Sequence, residues 1–298
     1  MRREIAEARA AQETLIAPVA AKLREAVPSA ETAPAAMAEW DFETEASAIP
    51  LRLHGGAKIE NGALVLNGRD AWASTGPLGV TLGARTLEAW VTLSTLEQAG
   101  GGVFTIQDLS GATFDAIVYG EQSAGQWVAG SNVFARTKPA NGPVETDAVS
   151  RPVHVAITWA EDGTVRLFRD GLPYGRPYRS SGLVTFGAGQ SMLQLGCRHG
   201  NAEGNRLLSG SIHRARLYDR ALSAEDIAHS AVLEGVVIPR GRILEALSAD
   251  ELARYSKLDA VIAPLEIALA AERPEAPGDP LQSFALALLN AKEFIYLR

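Results

Sequence analysis

Hydrophobic and polar positions follow two different periods along this chain. From residue 40 to about 218, apolar residues alternate with polar or small ones in short runs divided by turn dipeptides, the pattern of half-buried strands. Val153, Val155, Ile157 and Trp159 alternate in this way, Asp162-Gly163 turns the chain, and Val165-Arg166-Leu167-Phe168 returns before a second turn at Asp170-Gly171. Lys58-Ile59-Glu60 and Ala63-Leu64-Val65-Leu66 flank Asn61-Gly62, a dipeptide that tolerates the positive φ needed at both centres of a two-residue hairpin loop. Further strands are predicted at 87–93, 102–106, 113–119, 192–195 and 211–218, with 120–152 read as one long loop. Strands this closely spaced, with no helices between them, predict a mainly β fold: a two-sheet antiparallel jelly-roll sandwich flanked by N- and C-terminal α-helices.

On either side of this region the period lengthens to three or four. Ile5, Ala8, Gln12, Leu15, Val19 and Leu23 predict an N-terminal helix kinked or restarted at Pro18, and the Pro/Ala-rich stretch 27–34 reads as a linker. Ser223-Ala224-Glu225-Asp226 and Ser248-Ala249-Asp250-Glu251 have the form of capping boxes, in which serine and acidic side chain each satisfy a free backbone N–H. The first opens a short helix to about residue 233. The second opens a longer one, interrupted by Pro264, whose Leu252, Tyr255, Leu258, Ile262, Leu265 and Leu269 form a seam for a helical partner. After the Pro-rich break 272–280, a last helix is predicted with Leu281, Phe284 and Leu288 on one face. The expected domains are therefore 1–37 (helix and linker), 38–235 (sandwich) and 236–298 (helical arm). The two arms are expected to pair antiparallel as one stalk, with Leu15 and Ile262 as the residues to cross-link.

Composition removes several function classes. Net charge is −7, from 28 Lys+Arg against 35 Asp+Glu, which argues against nucleic-acid binding; no apolar run approaches the length of a bilayer-spanning helix, so no membrane insertion is expected. The opening MRREIAEARAAQE is too charged for a signal peptide. A single cysteine, Cys197, excludes a disulfide framework and any multi-cysteine metal or haem site within these residues. The charge is also uneven. Between Arg166 and Arg220 there are nine arginines and no lysine against Asp170, Glu203 and Asp219. Arginine forks suit carboxylate or sulfate, so this stretch reads either as an acidic-ligand surface or as arginines paired with the domain's own acidic loops.

Residues 39 to about 232 resemble the laminin-G-like, concanavalin A-like sandwich family. The resemblance rests on Trp40-Asp41-Phe42, Leu66-Asn67-Gly68, Leu87-Glu88-Ala89-Trp90-Val91, Val153–Trp159, Leu167-Phe168-Arg169-Asp170-Gly171, Gln194-Leu195-Gly196, and Gly210-Ser211-Ile212 leading into Ala215-Arg216-Leu217-Tyr218-Asp219-Arg220-Ala221-Leu222-Ser223-Ala224-Glu225-Asp226-Ile227. Phe114–Glu121, Trp127–Asn132, Pro173–Arg179, Arg198-His199-Gly200 and the tail Leu288–Phe294 are similar to modules in large exported planctomycete-type proteins that also carry cytochrome-like and uncharacterised domains. This resemblance implies an exported, periplasmic or cell-surface setting and a role in handling polysaccharide. The haem-attachment pattern of such proteins is absent, so electron transfer does not carry over.

Enzymes on this sandwich hydrolyse glycans with paired carboxylates on one strand. Glu39-Trp40-Asp41-Phe42-Glu43 has the E-x-D-x-E spacing of one such family, and a period of two would align its three carboxylates; the alternative is a solvated acidic face on an edge strand. The downstream Thr44-Glu45-Ala46-Ser47 does not continue the motif, and no nucleophile elbow or His/Cys ligand pairing is present, so the chain is read as noncatalytic, with no catalytic or metal residues. His154 reads as structural. Cys197, beside Arg198 and His199, is either a thiol of lowered pKa or a small semi-buried residue. No cofactor is expected beyond a calcium ion that loop aspartates could hold, with Asp70, Asp108, Asp115 and Asp147 as candidates. Long loops place the ligand-binding residues: Trp127, Asn132 and Arg136 in 120–152, and Arg198, His199, Asn201, Asn205 and Arg206 in 198–206. An exposed aromatic with Asn and Arg donors suits a sugar. Trp127 is read equally as a core residue. The expected partner is a glycan, acidic in one version, or else a partner protein; the competing readings are a structural docking module and a glycoside hydrolase.

Overall fold

The computed structural model describes residues 2–25, 34–43, 49–232 and 240–271. Two compact units emerge: Met1–Ala26 with Arg240–Arg298, and Val27–Pro239. The predicted last helix with Leu281, Phe284 and Leu288, and most of the 27–34 linker, lie outside the described residues.

In the first unit, α1 (Arg2–Glu25) runs through Pro18 and α4 (Ala249–Ala271) runs through Pro264, with the short α3 (Arg240–Glu245) preceding α4. The Ser248 capping box is formed: Glu251 N–H donates to Ser248 Oγ, and Ser248 N–H donates back to Glu251 Oε2 at 2.8 Å. Ile5, Ala8 and Ile262 share an apolar cluster with Leu258 and Leu265, while Gln12 Nε2 donates to Asp259 Oδ1 at 3.3 Å. Early residues of α1 thus meet late residues of α4, and the helices are antiparallel. Their register differs from the expected one, because Ile262 meets Ala8, about two helical turns from Leu15. Cysteines at Ala8 and Ile262 are expected to close an intramolecular disulfide under mild oxidation, whereas the Leu15/Ile262 pair is expected to stay reduced, as read by mobility on a non-reducing gel.

The second unit contains fifteen strands among the described residues: β1 (Ala38–Trp40), β2 (Arg52–His54), β3 (Lys58–Glu60), β4 (Ala63–Asn67), β5 (Trp72–Ser74), β6 (Arg85–Leu93), β7 (Gly101–Asp108), β8 (Phe114–Tyr119), β9 (Trp127–Ser131), β10 (Val153–Trp159), β11 (Thr164–Arg169), β12 (Leu172–Pro173), β13 (Tyr178–Arg179), β14 (Ser191–Leu195) and β15 (Ser209–Tyr218). They form two antiparallel sheets. One follows the order β12-β11-β10-β6-β15-β4-β3, with β1 added on β15 and β13 on β11; the other is β2-β5-β14-β7-β8-β9. Asn61 and Gly62 take φ of 51° and 69°, the two positive values a tight β3–β4 hairpin requires.

Alternate residues of both sheets fill the space between them, from Leu64, Leu87, Val91, Val155 and Leu217 on one side to Phe104, Ile106, Ile117, Trp127 and Leu193 on the other. The outer face of the nine-stranded sheet is covered as well. There α2 (Ala224–Val232), opened by the Ser223 capping box, lays Ile227 against Ala156, Phe168, Tyr218 and Leu222. Double coverage explains why every residue of β10 is buried despite its alternating sequence.

The stretch 120–152 is not one loop. β9 lies within it and forms an edge of the six-stranded sheet. Its Trp-Val-Ala-Gly-Ser sequence alternates in orientation, with Trp127 and Ala129 in the core, yet Ala, Gly and Ser offer too little hydrophobic contrast for a period of two to show.

Candidate functional site

On the six-stranded sheet, Ala73, Leu193, Leu195, Ile106 and Ile117 turn into the core. Their neighbours therefore face outward, and strand register aligns Arg52, Ser74, Gln194, Thr105 and Ala116 in a row across five strands. The 198–206 loop lies over the middle of this row. Thr105 Oγ1 donates to the carbonyls of Cys197 (3.0 Å) and Arg198 (2.9 Å), Gly200 N–H donates to Gln107 Oε1 (2.7 Å), and Gln194 Nε2 donates to Gly200 O (3.3 Å). Such close seating needs Gly102, where any Cβ would overlap the backbone of Arg198.

Five of the eight sequence-predicted residues belong to this loop. Arg198 is buried, ion-paired with Glu121, and donates from Nη2 to Asn205 Oδ1 at 3.2 Å. His199 stacks on Phe114 with ring centroids 4.1 Å apart and planes 10° from parallel. Burial, with the charges of Arg206 and Arg198 added, pushes the His199 pKa down to about 4, so its imidazole is neutral near pH 7. Asn201 and Asn205 are exposed, and Arg206 is half-buried, donating to Asn201 O at 3.3 Å. Backbone pairing of Arg198 N–H with Arg206 O (2.9 Å) closes the loop at its base.

The other three sit elsewhere. Trp127 is only 1% exposed: β9 turns its ring into the core, where Nε1 donates to Glu145 Oε2 at 2.8 Å, so it offers no surface platform for a sugar. After β9, Val133 and Phe134 both take positive φ (43° and 56°), and this sharp reversal returns Arg136 towards β8. Arg136, 7% exposed, bonds Asp115 Oδ1 through Nε (3.1 Å) and Nη2 (3.0 Å), and its Nη2 also reaches Phe114 O and Asn132 Oδ1, each at 2.9 Å. Arg136 and Asn132 thus serve an internal network. The two loops do meet, at Phe114, whose carbonyl is held by Arg136 and whose ring carries His199.

The arginine-rich half is neutralised largely from within. Arg169 pairs with Glu145 (2.8 Å), Asp147 (3.4 Å) and Asp170; Arg214 and Arg216 both pair with Glu39; Arg179, Arg206 and Arg220 pair with Asp162, Glu203 and Asp219. Glu145 shows the strength of this pairing. Its burial alone would raise the carboxyl, but bonds from Arg169, Trp127 and backbone N–H groups hold its pKa at about 2, against an ordinary 4.5. Because the folded value is depressed, its stabilisation is full above pH ~4.5 and is lost as pH falls towards 2. Acid titration of Glu145→Gln is expected to show a shallower fall in unfolding midpoint between pH 4.5 and 2.5 than the parent chain.

Other candidates are likewise engaged. Phe42, with φ of 57°, ends the extended run after Trp40, so Glu39, Asp41 and Glu43 do not share a strand face, and Glu39 is bound by Arg214 and Arg216. Asp108 accepts from Ser110, Ala112 and Thr113, Asp115 holds two arginines, Asp147 holds Arg151 and Asp70 accepts from Asn67. No group of three or more His, Cys, Asp or Glu is placed to hold a metal ion among the described residues. Burial raises the Cys197 thiol to about 11, the opposite of an activated thiolate.

Sequence reasoning passed over Trp72 and His54. They are direct partners across β5 and β2, their rings stacked 4.0 Å apart at 13°, and both are half-buried on the outer face. The available signal was Trp72 between Ala71 and Ala73, both fully buried, which makes the indole the outward position of a very short strand.

A family model described as the concanavalin A-like lectin/glucanases superfamily matches residues 67–228. No curated protein matches the chain. Among solved structures, Trypanosoma rangeli sialidase in complex with 2,3-difluorosialic acid aligns at 16% identity and a TM-score of 0.49, covering 70% of this chain and 34% of the sialidase. The botulinum neurotoxin serotype G binding domain aligns at 9% identity and 0.48, over 67% of this chain and 51% of that one. The CBM40 of Ruminococcus gnavus IT-sialidase, bound to α2,3-sialyllactose, aligns at 14% and 0.38, over 50% and 83%. The aligned part spans about a third of the sialidase's length.

Proposed function

For a chain that belongs to the concanavalin A-like lectin/glucanases superfamily, we propose the role of a noncatalytic recognition module that binds carbohydrate at the 198–206 loop. The observation that carries this reading is the contrast within the loop. Its base is fixed by Thr105, Gln107, Gln194 and the Arg198–Glu121 pair, while Asn201 and Asn205 are exposed at its rim beside Arg206. A donor held in place before binding, as the Asn205 amide is by the bond its Oδ1 accepts from Arg198 Nη2, loses little conformational freedom when a ligand arrives, and amide and guanidinium groups match sugar hydroxyls. The noncatalytic part is supported by the divergence of Glu39, Asp41 and Glu43. An exported polysaccharide-handling parent of the planctomycete type is the setting this reading assumes. The test is a glycan array at low and high salt, repeated with Asn201→Ala/Asn205→Ala. The expected result is saturable binding to a defined glycan set, weakened at least tenfold by the double variant; no binding to neutral, uronic or sulfated glycans overturns it. The internal pairing of most arginines favours a second reading, a docking module within its parent protein, for which an empty array is the expected outcome.

A further inference from the structure

We infer a second ligand subsite on the same outer face, at the edge formed by β2 and β5, built to stack a sugar ring on Trp72 and to receive its carboxylate on Arg52. Three independent observations support it. The first is the aromatic step. Trp72 and His54 stack on one another at 4.0 Å, and His54 Nε2 lies 2.8 Å from Ser74 Oγ, which fixes the imidazole and through it the indole. A half-exposed, immobilised ring offers apolar area at small entropic cost.

The second is the cation. Arg52 lies directly opposite Ser74, is exposed, and makes no ion pair among the described residues. Arg85, Arg136, Arg169, Arg198, Arg214 and Arg216 are each paired with a carboxylate; Arg69, Arg166 and Arg176 are unpaired among the described residues like Arg52, but Arg52 alone among them stands in the outward row beside Trp72 and His54. Burial and the Arg52 charge both lower the His54 pKa, so near neutral pH the attraction for a carboxylate comes from Arg52 and not from the imidazole.

The third is an unused acceptor. Gln194 is the next residue of the row, 2% exposed, with Nε2 committed to Gly200 O and with Oε1 lacking any donor among the described residues. A buried amide oxygen without a partner is costly in a finished fold, and a ligand hydroxyl is one donor that would satisfy it. The row Arg52–Ser74–Gln194 crosses three strands, about 10 Å at ordinary strand spacing, which matches one to two sugar rings.

The inference rests on the carbohydrate reading for its ligand class; its aromatic and cationic residues on β2 and β5 are separate from the 198–206 rim, and the two sites share Gln194 alone, whose Nε2 holds Gly200 O. It is tested with the intact chain by NMR titration, the Trp72 indole resonance being assigned by its loss in Trp72→Phe. The probes are a glucuronic acid-terminated trisaccharide and the same compound as its methyl ester. The expected result is a shift of the Trp72 indole with the free acid and at least tenfold weaker binding of the ester. Arg52→Gln should abolish that preference without moving the unfolding midpoint. Equal affinity for acid and ester, or an Arg52→Gln variant that binds like the parent, overturns the subsite. If binding instead responds to Asn201→Ala and leaves the Trp72 resonance still, the subsite alone falls; if neither probe binds and the array is also empty, the carbohydrate reading falls with it.

Discussion

Asp115→Ala is expected to lower the unfolding free energy by about 3–5 kcal/mol. Asp115 lies on β8 and faces inward, and neither its side chain nor that of Arg85 is exposed at all. Arg85 comes from the opposite sheet. It lies 4.7 Å from the Phe186 ring and 5.3 Å from that of Trp159, donates to Val184 O at 2.9 Å and pairs with Asp115, whose other oxygen holds Arg136. Burial drives the Asp115 carboxyl up and the Arg85 guanidinium down, in each case against the charge of its partner. Removing the carboxylate leaves a guanidinium in the core without a counter-charge, and that uncompensated charge dominates the loss. Arg136→Gln should cost less, because its amide can still donate to Asp115. Urea denaturation of the three chains checks the order; an Asp115→Ala loss under about 1 kcal/mol would show that the inter-sheet charge is solvated after all.

A similar loss, again about 3–5 kcal/mol, is expected for Glu88→Ala, but centred on one element. Glu88 is fully buried under α2, where it accepts from His154 Nε2 (2.7 Å), Tyr218 Oη (2.8 Å) and Ser230 Oγ (2.8 Å). Gly171 N–H donates to His154 Nδ1, which places the imidazole proton on the nitrogen that faces Glu88. Burial works to raise the Glu88 carboxyl, yet the bond from His154 and the charge of Arg216 more than offset it, and the pKa ends below its ordinary value. Its contribution is therefore present above the ordinary carboxylate range and is lost as pH falls through the folded value. Because Ser230 belongs to α2, Glu88→Ala should also speed amide hydrogen exchange across 224–232 more than in β10. Uniform acceleration across both would place Glu88 in the global core, not in the attachment of the helix.

Adjacent residues were enough for the features whose physics is local. Asn61-Gly62 and Asp170-Gly171 place tight turns because positive φ is cheap for those residues, and the Ser223 and Ser248 boxes start helices because a serine and an acid three residues on can cap each other. Alternation in β10 exposed the sandwich in the same way. β9 escaped, since Ala, Gly and Ser blur the alternation, and Trp72 escaped because three residues are too few to show a period.

The candidate site was legible as a loop and illegible as a surface. The clustering of Arg198, His199, Asn201, Asn205 and Arg206 follows from their positions in the chain. That Trp127 faces inward, that Arg136 is spent on Asp115, and that Glu39 absorbs Arg214 and Arg216 required the sheets to close. The composition pointed correctly to arginine in excess, but Glu121 and Arg198 are 77 residues apart and Glu39 and Arg216 are 177 apart, so no local window contains both partners. The sequence by itself determined where strands turn, where helices start and which residues prefer the core, all set by backbone and side-chain preferences over a few positions. Only the tertiary structure decided which charges cancel, and that an unpaired Arg52 and the free acceptor of Gln194 stand in one outward row, because desolvation and pairing depend on which strands are brought face to face.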